Sequence, residues 1–201
     1  MSFMNFTKEL WKVAVKVHHK WIVISNDKEH IELIFVDADG TNVHVIVPIN
    51  LKATFDSVLL VNNTYTVMNF LPRINDRMFK TSEHPYVIRF TPGTRVSDIN
   101  KHEIPGKRLN FKPFAETISR NWKSDLLMLL DCNDTLNCTL WETYAVKFMN
   151  YIQMNNDGGP SIILLQYAKV KAEGKYPFSV LNTYNITNLL INEDVPNIVE
   201  F

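Results

Sequence analysis

Apolar and polar residues along the first half of the chain follow the patterns of short strands interrupted by one helix. β-Branched and aromatic residues dominate from Trp11 to Ser25, from His30 to Val36 and from Thr41 to Val47. Apolar residues from Leu51 to Leu60 recur at helical spacing, and strand-like residues return from Thr64 to Leu71. The pattern therefore predicts three strands, a short helix and a fourth strand.

A fifth strand is predicted from Met78 to Phe90, and Pro85 inside it is typical of a sheet edge or a bulge. Five strands with a helix between the third and the fourth is the order of an OB-fold, a partly open Greek-key barrel. We therefore assign residues 1–98 to a first OB-fold. Residues 99–112, with Pro and Gly and few apolar positions, are predicted to be a linker, and residues 113–201 form a second domain.

The second domain repeats the order of strand, acidic turn, strand and helix. The acidic turn within Phe35–Thr41 leads into Val43–Val47, and the acidic turn within Leu130–Thr135 leads into Leu136–Trp141. A repeat of this kind predicts a second barrel. Only Leu126–Leu130 precedes the second turn, so this copy lacks its first strand and is expected to expose an edge. The fold class predicted is mainly β, with two OB-folds in tandem, the second truncated.

The rest of the second copy gives the expected elements. We predict a hairpin from the strands before and after the acidic turn, then a helix and two further strands. The ranges are Leu126–Leu130 and Leu136–Trp141 for the hairpin, Glu142–Met154 for the helix, and Ser161–Val170 and Phe178–Asn182 for the strands.

Composition excludes several classes of protein. The chain has 201 residues, of which 46% are hydrophobic, enough for packed cores rather than a disordered chain. The 21 basic and 21 acidic residues balance, so the net charge gives no indication of nucleic-acid binding. No run of about 18 apolar residues occurs, so we expect no membrane partner. The first residues lack an apolar secretory core, which favours cytosol or nucleus, and we predict the nucleus.

Catalytic and metal-binding patterns are not found. The chain has only six glycines and neither a phosphate-binding loop nor a nucleophile motif, so we predict no enzyme activity and no cofactor. Asp37 and Asp39 before Gly40 resemble the start of a calcium loop, but the glutamate that would close such a loop is missing. A plain hairpin turn is the better interpretation. His18 and His19 point to opposite faces of a strand, and we predict no metal site.

Binding of a single nucleic-acid strand suits the pattern better. OB-folds bind single strands across their second and third strands, with cations tracking the phosphates and aromatic rings stacking on bases. Trp21 and Phe55 are the candidates for stacking in the first barrel, with burial in the core as the alternative for each. The candidate loop and groove residues are Lys16, Lys20, Lys28, Arg73, Arg77, Phe79 and Lys80.

The sequence resembles the large subunit of replication protein A, in the manner of the plant replication-protein-A-like proteins. In the first half the resemblance lies in Ala14-Val-Lys-Val17, Trp21, Glu32-Leu-Ile-Phe-Val-Asp37, Val61-Asn-Asn-Thr-Tyr-Thr66 and Glu83-His-Pro-Tyr86. In the second half it lies in Cys138-Thr-Leu-Trp141, Phe178-Ser-Val-Leu181 and Leu190-Ile-Asn-Glu-Asp-Val-Pro196. The segment from Ile104 to Leu126 resembles the connector between two OB-folds of that subunit. The resemblance implies binding of single-stranded DNA in replication, repair or recombination.

The resemblance also assigns stacking residues one at a time. Trp141 matches a stacking tryptophan of the second OB-fold, whereas Glu173 stands at the position of its partner, with Tyr176 as a substitute. In the first OB-fold, Ile31 stands near one stacking position and Phe55 near the other. The zinc-bearing OB-fold through which the family assembles is absent from this sequence, so docking with smaller subunits is not expected.

Two functions therefore remain open from the sequence. The first is binding of single-stranded DNA, with RNA as an alternative ligand. The second is an OB-fold protein-interaction module, a shortened paralogue with weak or no affinity for nucleic acid, which zero net charge and Glu173 would favour. The exposed edge of the second copy predicts pairing with another chain, either a second copy or a partner protein.

Overall fold

The structure is a computed structural model, and part of the chain is described. The described residues are 1, 4, 10–25, 28–77, 80–105, 127–129 (backbone only), 136–155, 161–171 and 179–193. They fall into two compact units, Met1–Arg108 and Leu109–Phe201. The division lies within the predicted linker, residues 99–112. None of the described helices is long and apolar enough to cross a membrane.

The first unit contains seven strands and one helix in its described part. They are β1 (Lys12–Ser25), β2 (Lys28–Val36), β3 (Asn42–Val47), α1 (Ile49–Phe55), β4 (Thr64–Met68), β5 (Leu71–Ile74), β6 (Tyr86–Arg89) and β7 (Arg95–Asp98). The strand order in the sheet is β5-β6-β3-β2-β1-β4-β7. Because β4 and β5 follow one another, as do β6 and β7, the seven strands correspond to the five strands of an OB-fold.

The two extra strands arise from breaks in the predicted fourth and fifth strands. Asn69 between β4 and β5 has a φ of 57°, a left-handed conformation that interrupts the strand. The hydroxyls of Thr91 and Thr94, between β6 and β7, both donate hydrogen bonds to the Asn69 carbonyl, at 3.2 and 3.1 Å. The two bends therefore lie against each other and hold the sheet in its curled form.

Strand β1 joins the two halves of the barrel. Its first half pairs with β4 and its second half with β2, and Lys16 lies opposite both Thr64 and Val36. The register shifts between Val17 and His19, a bulge that bends the strand. Closure is completed by the parallel pairing of β3 with β6.

The interior of the first barrel is built from alternate positions of β1, β2 and β3. Val17, Leu33 and Val45 are fully buried there, as period-two alternation requires. The Tyr65 hydroxyl donates to the Val58 carbonyl at 2.7 Å and accepts from the Leu60 N–H at 2.9 Å, so the chain after α1 is fixed to the core.

The predicted stacking role of Phe55 is wrong. Phe55 is only 7% exposed, belongs to the core cluster, and meets the ring of Phe90 edge-on at 4.9 Å. The reason is that α1 ends at Phe55 and turns its last residue into the open end of the barrel, where an aromatic side chain fills the space.

The predicted fifth strand is also shorter than expected. Only Tyr86–Arg89 forms a strand, and residues 80–85 before it form a loop. The Asn75 side-chain amide donates to the carbonyls of Ser82 and His84, at 3.2 and 3.0 Å, which organises that loop. The start of the predicted linker packs on the barrel, because the Ile99 N–H donates to the Thr64 carbonyl at 3.0 Å.

In its described part, the second unit is a five-stranded sheet packed against one helix. Its described elements are β8 (Leu127–Leu129), β9 (Asn137–Thr139), α2 (Thr143–Met154), β10 (Ile163–Lys171), β11 (Ser179–Leu181) and β12 (Asn188–Ile191). Tyr144, Phe148 and Tyr151 of α2 pack on the core of this unit, as their helical spacing predicts. Residues 109–126 of this unit lie outside the described residues, so the predicted truncation of the second copy stays a prediction.

The predicted hairpin of the second unit is wrong. Strand β8 pairs with β10, and β9 pairs in parallel with β11, so the two strands around the acidic turn do not pair with each other. The turn itself, residues 130–135, lies outside the described residues. In the first unit the corresponding turn is a hairpin, since the Asp37 carboxylate accepts the N–H groups of Asp39 and Thr41 at 3.1 and 2.9 Å.

Replacing Phe55 by Ala should destabilise the first unit rather than weaken a ligand contact. We expect a loss of about 3–5 kcal/mol in the free energy of unfolding, because a buried phenyl ring is replaced by a cavity. Urea unfolding followed by hydrogen exchange of β2 and β3 peptides measures this unit by itself. The control is Leu60→Ala, since Leu60 is half exposed. Unchanged stability would show that Phe55 is not a core residue.

Candidate functional site

The outer face of β1, β2 and β3 carries polar side chains where the barrel interior carries aliphatic ones. Glu32 lies opposite Trp21 on β1, and His44 on β3 lies opposite Ile34. OB-folds commonly bind their ligands across this face. In this chain the face is buried, since Glu32 is 2% exposed and His44 fully buried.

The Glu32 carboxylate is the centre of this buried network. One oxygen accepts from His30 Nε2 at 3.1 Å and the other from His44 Nε2 at 3.0 Å. The Arg77 guanidinium contacts both oxygens, with Nη1 at 3.1 Å from Oε2 and Nη2 on Oε1. A carboxylate paired with the planar fork of an arginine is a strong and directional contact. The buried charge is therefore compensated by three partners.

The network fixes the protonation of both ionisable groups. Desolvation would raise the pKa of Glu32, but the hydrogen bonds from His44 and Arg77 and the positive charge of Arg77 outweigh it and lower that pKa from 4.5 to about 2. Burial is the main cause that lowers the pKa of His44 below its ordinary 6.5. Because an ionised Glu32 can only accept, His44 carries its proton on Nε2, and its Nδ1 accepts from the Thr81 hydroxyl at 3.0 Å.

The loop between β5 and β6 covers this face. Besides the contacts of Arg77 with Glu32 and of Thr81 with His44, the Ser82 hydroxyl donates to the carbonyl of Asn42 on β3 at 2.7 Å. Thr81 and Ser82 are themselves buried. Three tethers therefore hold the described flanks of the loop, residues 75–77 and 80–85, against β2 and β3.

The predicted stacking role of Trp21 does not agree with this arrangement. Trp21 is 5% exposed and lies between the rings of His19 and His44, with ring centroids 5.3 and 5.4 Å away. A ring covered in this way has no free face for a base. Its Nε1–H is buried and finds no acceptor among the described residues, and an unpaired buried donor costs about 1–3 kcal/mol.

Two of the residues predicted to contact phosphates, Lys20 and Arg77, form ion pairs within the first unit. Lys20 forms an ion pair with Asp56 at 2.6 Å and donates to the Leu59 carbonyl at 3.2 Å, so it anchors the chain after α1. In the free protein the charge of Lys20 is paired with this carboxylate, and its predicted role in phosphate binding stays a prediction. Arg77 is likewise neutralised, by Glu32.

Lys16 lies away from the β2–β3 face. It lines a polar cavity of about 360 Å³ together with Lys101, His102 and Asp98. This cavity belongs to the side of the barrel formed by β1, β4 and the chain after β7, because Lys16 pairs with Thr64. The structure therefore does not bring Lys16 together with the other predicted site residues.

Three of the basic residues predicted to contact phosphates have side chains that are accessible to solvent, near the loops of the first barrel. Lys28 at the start of β2 and Arg73 on β5 are exposed, and Lys80 is half-buried. Two other predicted site residues, Phe79 and Tyr176, lie outside the described residues, as does Glu173.

Trp141 is the exposed aromatic residue of the second unit that the sequence singles out. Its side chain is 59% exposed, directly after β9. Its backbone N–H donates to the Asn182 side chain at 2.6 Å, which holds this position next to β11. An exposed indole on a fixed backbone can stack on a planar ligand.

Glu32, His44 and Thr81 are the residues that sequence reasoning missed. The signal present in the sequence was Glu32 itself, the one charged residue within the apolar stretch Ile31–Val36 of β2. Its partner Arg77 is separated from it by 45 residues, so only the fold shows the pair. Among the described residues, no group of three metal-ligating side chains could hold a metal ion.

Comparison with known families identifies the family to which the chain belongs. A family model described as a domain of unknown function, DUF223, matches residues 2–120. The chain belongs to the DUF223 family. No curated protein matches this DUF223 sequence.

Among solved structures, a replication protein A heterotrimer bound to single-stranded DNA matches with 16% identity and a TM-score of 0.64. The match covers 98% of this chain and 52% of that chain, so the DUF223 chain spans about half of the protein it matches. It shows the fold, an arrangement of OB-fold barrels.

Two further structures are more distant. The HINa domain of Ifi202 in complex with double-stranded DNA has 8% identity, a TM-score of 0.48, and coverage of 89% of this chain and 95% of that chain. DNA-binding domain A of S. cerevisiae replication protein A has 12% identity, a TM-score of 0.37, and coverage of 50% and 91%. Neither adds to the assignment of the fold.

The Glu32 network should make the first unit sensitive to acid. The pKa of His44 is lower in the folded than in the unfolded chain, so stability falls as pH drops below about 6.5. The lowered pKa of Glu32 adds a loss as pH falls from about 4.5 to 2, worth roughly 3 kcal/mol in total.

Glu32→Gln should therefore flatten the acid limb of the stability profile below pH 4.5. The measurement is the urea midpoint of the first unit as a function of pH, read by hydrogen exchange of β2 and β3. Glu29→Gln, at an exposed position of the same strand, is the control and should keep the wild-type profile. Identical acid limbs for both variants would contradict the lowered pKa.

Proposed function

We propose that the chain binds single-stranded DNA without catalysing a reaction, using the exposed indole of Trp141 and the cations at the loops of the first barrel. The observation that carries the proposal is Trp141, a largely exposed ring held on a fixed backbone in an OB-type unit. Stacking on such a ring stabilises an unpaired base whatever its sequence. The similarity in fold to a replication protein A heterotrimer bound to single-stranded DNA supports the same ligand.

The cations that would contact phosphates in the first barrel are Lys28, Arg73 and Lys80. Their side chains are exposed or half-buried, and none of them forms an ion pair within the described part of the chain. Lys20 and Arg77 are each paired with a carboxylate in the free protein, so they would contact a phosphate only after that ion pair separates. The zero net charge of the chain is therefore compatible with a few unpaired cations beside the groove.

The finer parts of the proposal follow from the resemblance to the large subunit of replication protein A. We propose a role in DNA replication, repair or recombination and a location in the nucleus. RNA is the alternative ligand, and comparison of oligo-dT with oligo-U distinguishes the two. In the order β12-β10-β11-β9, β9 is an end strand among the described strands, and we propose that it is the edge that pairs with a partner chain.

A protein-interaction module is the second candidate function. The observation that favours it is the covered outer face of the first barrel, where Trp21 and Glu32 are buried in the chain's own contacts. Absence of binding to oligo-dT and oligo-U at low salt would favour this candidate and reject the first.

Replacing Trp141 by Ala should weaken binding of oligo-dT by about 1–3 kcal/mol for each base lost from the ring. Trp141→Phe should retain most of the affinity, because an aromatic face remains. Fluorescence anisotropy of a labelled oligonucleotide, titrated at several salt concentrations, measures the dissociation constants. The logarithm of the binding constant should fall with that of salt, with a slope of about −0.7 per phosphate contacted.

Met154→Ala is the control for that experiment, since Met154 is an exposed side chain of the same unit. Its affinity should equal that of the wild type. An affinity of Trp141→Ala that is also equal to the wild-type value would reject stacking on this ring.

A further inference from the structure

We propose that the loop between β5 and β6 is a strap that closes the outer face of the first barrel, and that the Glu32–Arg77 ion pair is its latch. Occupation of this face by a nucleic-acid strand requires the latch to open. This inference rests on the proposed function, since it concerns the regulation of the same binding face. The strap is defined by its described flanks, residues 75–77 and 80–85.

The first argument is the position of the strap. Its tethers reach two neighbouring strands, with Arg77 on Glu32 of β2, Thr81 on His44 of β3, and the Ser82 hydroxyl on the main chain of β3. These are the second and third strands, across which an OB-fold receives its ligand. The strap therefore occupies the place of a ligand.

The second argument is charge. Arg77 uses both fork nitrogens on Glu32, and the pair has no net charge. A phosphate approaching the closed face meets a neutralised guanidinium, with the Glu32 carboxylate directly beneath it. Separation of the pair gives the ligand a cation, so the latch and a phosphate compete for the same donor.

The third argument is an unpaired hydrogen-bond donor on the closed face. The buried Trp21 Nε1–H has no acceptor among the described residues, and an unpaired buried donor destabilises the state that contains it. The oxygens of a nucleobase or a phosphate are acceptors. A bound strand can therefore provide the partner that the strap does not.

The Asn75 side chain ties the two ends of the strap to each other. Its amide nitrogen donates to the carbonyls of Ser82 and His84, and its backbone N–H donates to the Pro85 carbonyl at 2.8 Å. The base of the strap is thus held together by its own bonds. Arg77 is the only charged side chain among the three tethers.

The experiment is a double-mutant cycle in the full chain with oligo-dT as the probe. Glu32→Gln keeps the shape of the side chain and breaks the ion pair. The affinity for oligo-dT should therefore rise about fivefold or more, which is the lower end of the range typical of coupled equilibria. Glu29→Gln removes the same charge from an exposed position of β2 and should change affinity much less. In the Arg77→Gln background the latch is already lost, so the gain from Glu32→Gln should be clearly smaller and reflect only the removal of a carboxylate near the phosphates.

Equal gains from Glu32→Gln in the wild-type and Arg77→Gln backgrounds would overturn the proposal, as would no gain over Glu29→Gln. Hydrogen exchange of residues 80–84 in the free proteins gives a readout that does not depend on DNA. Exchange should be faster in Glu32→Gln than in Glu29→Gln, and equal rates would overturn the strap.

The exchange measurement also separates the two proposals. If neither the wild type nor the variants bind oligo-dT, the proposed function is rejected. The proposal that the loop is a strap is then tested only by the hydrogen exchange of residues 80–84 in the free proteins. If Glu32→Gln does not fold, Arg77→Gln takes its place, because Glu32 then keeps its bonds from His30 and His44. Faster exchange of residues 80–84 in Arg77→Gln supports the latch, and unchanged exchange overturns it.

Discussion

A single buried carboxylate organises the outer face of the first barrel. Glu32 lies in the stretch Ile31–Val36 of β2, in which every residue is buried. A desolvated charge in such a place is tolerated only with strong partners. His30, His44 and Arg77 provide them. Because Arg77 belongs to the loop between β5 and β6, the need to compensate Glu32 also decides where that loop lies. The covered face, the buried Trp21 and the paired state of Arg77 all follow from this requirement.

The fold could be predicted largely from sequence because it depends on local patterns. Runs of β-branched and aromatic residues in β1, β2 and β3 and helical spacing in α2 predicted the correct elements, and the order of elements predicted the OB-fold. The breaks at Asn69 and at Thr91–Thr94 could not be predicted, since they are fixed by hydrogen bonds between two bends about 25 residues apart. The prediction that β8 pairs with β9 was wrong for a similar reason. The two strands are close in sequence, which suggested a hairpin, but β8 pairs with β10 and β9 pairs with β11.

The site was harder to predict because the role of a cation or a ring depends on what lies next to it. Lys20 and Arg77 have the right side chains for phosphate contacts, but Asp56 and Glu32 use their charges. Phe55 has the right side chain for stacking, but the end of α1 turns it inward. Trp141 is largely exposed, and the stacking role that the resemblance to replication protein A implied for it stays a prediction. Binding chemistry is thus divided between an exposed ring in one unit and a face covered by its own loop in the other.

Hydrogen exchange of the full wild-type chain, with and without saturating oligo-dT, tests this account most directly. If the strand displaces the loop from the face of β2 and β3, residues 80–84 exchange faster in the complex, while the segment around Trp141 becomes protected. Exchange of residues 80–84 that is unchanged or slower on binding would contradict the account, because the loop would then remain on the face it covers in the free protein.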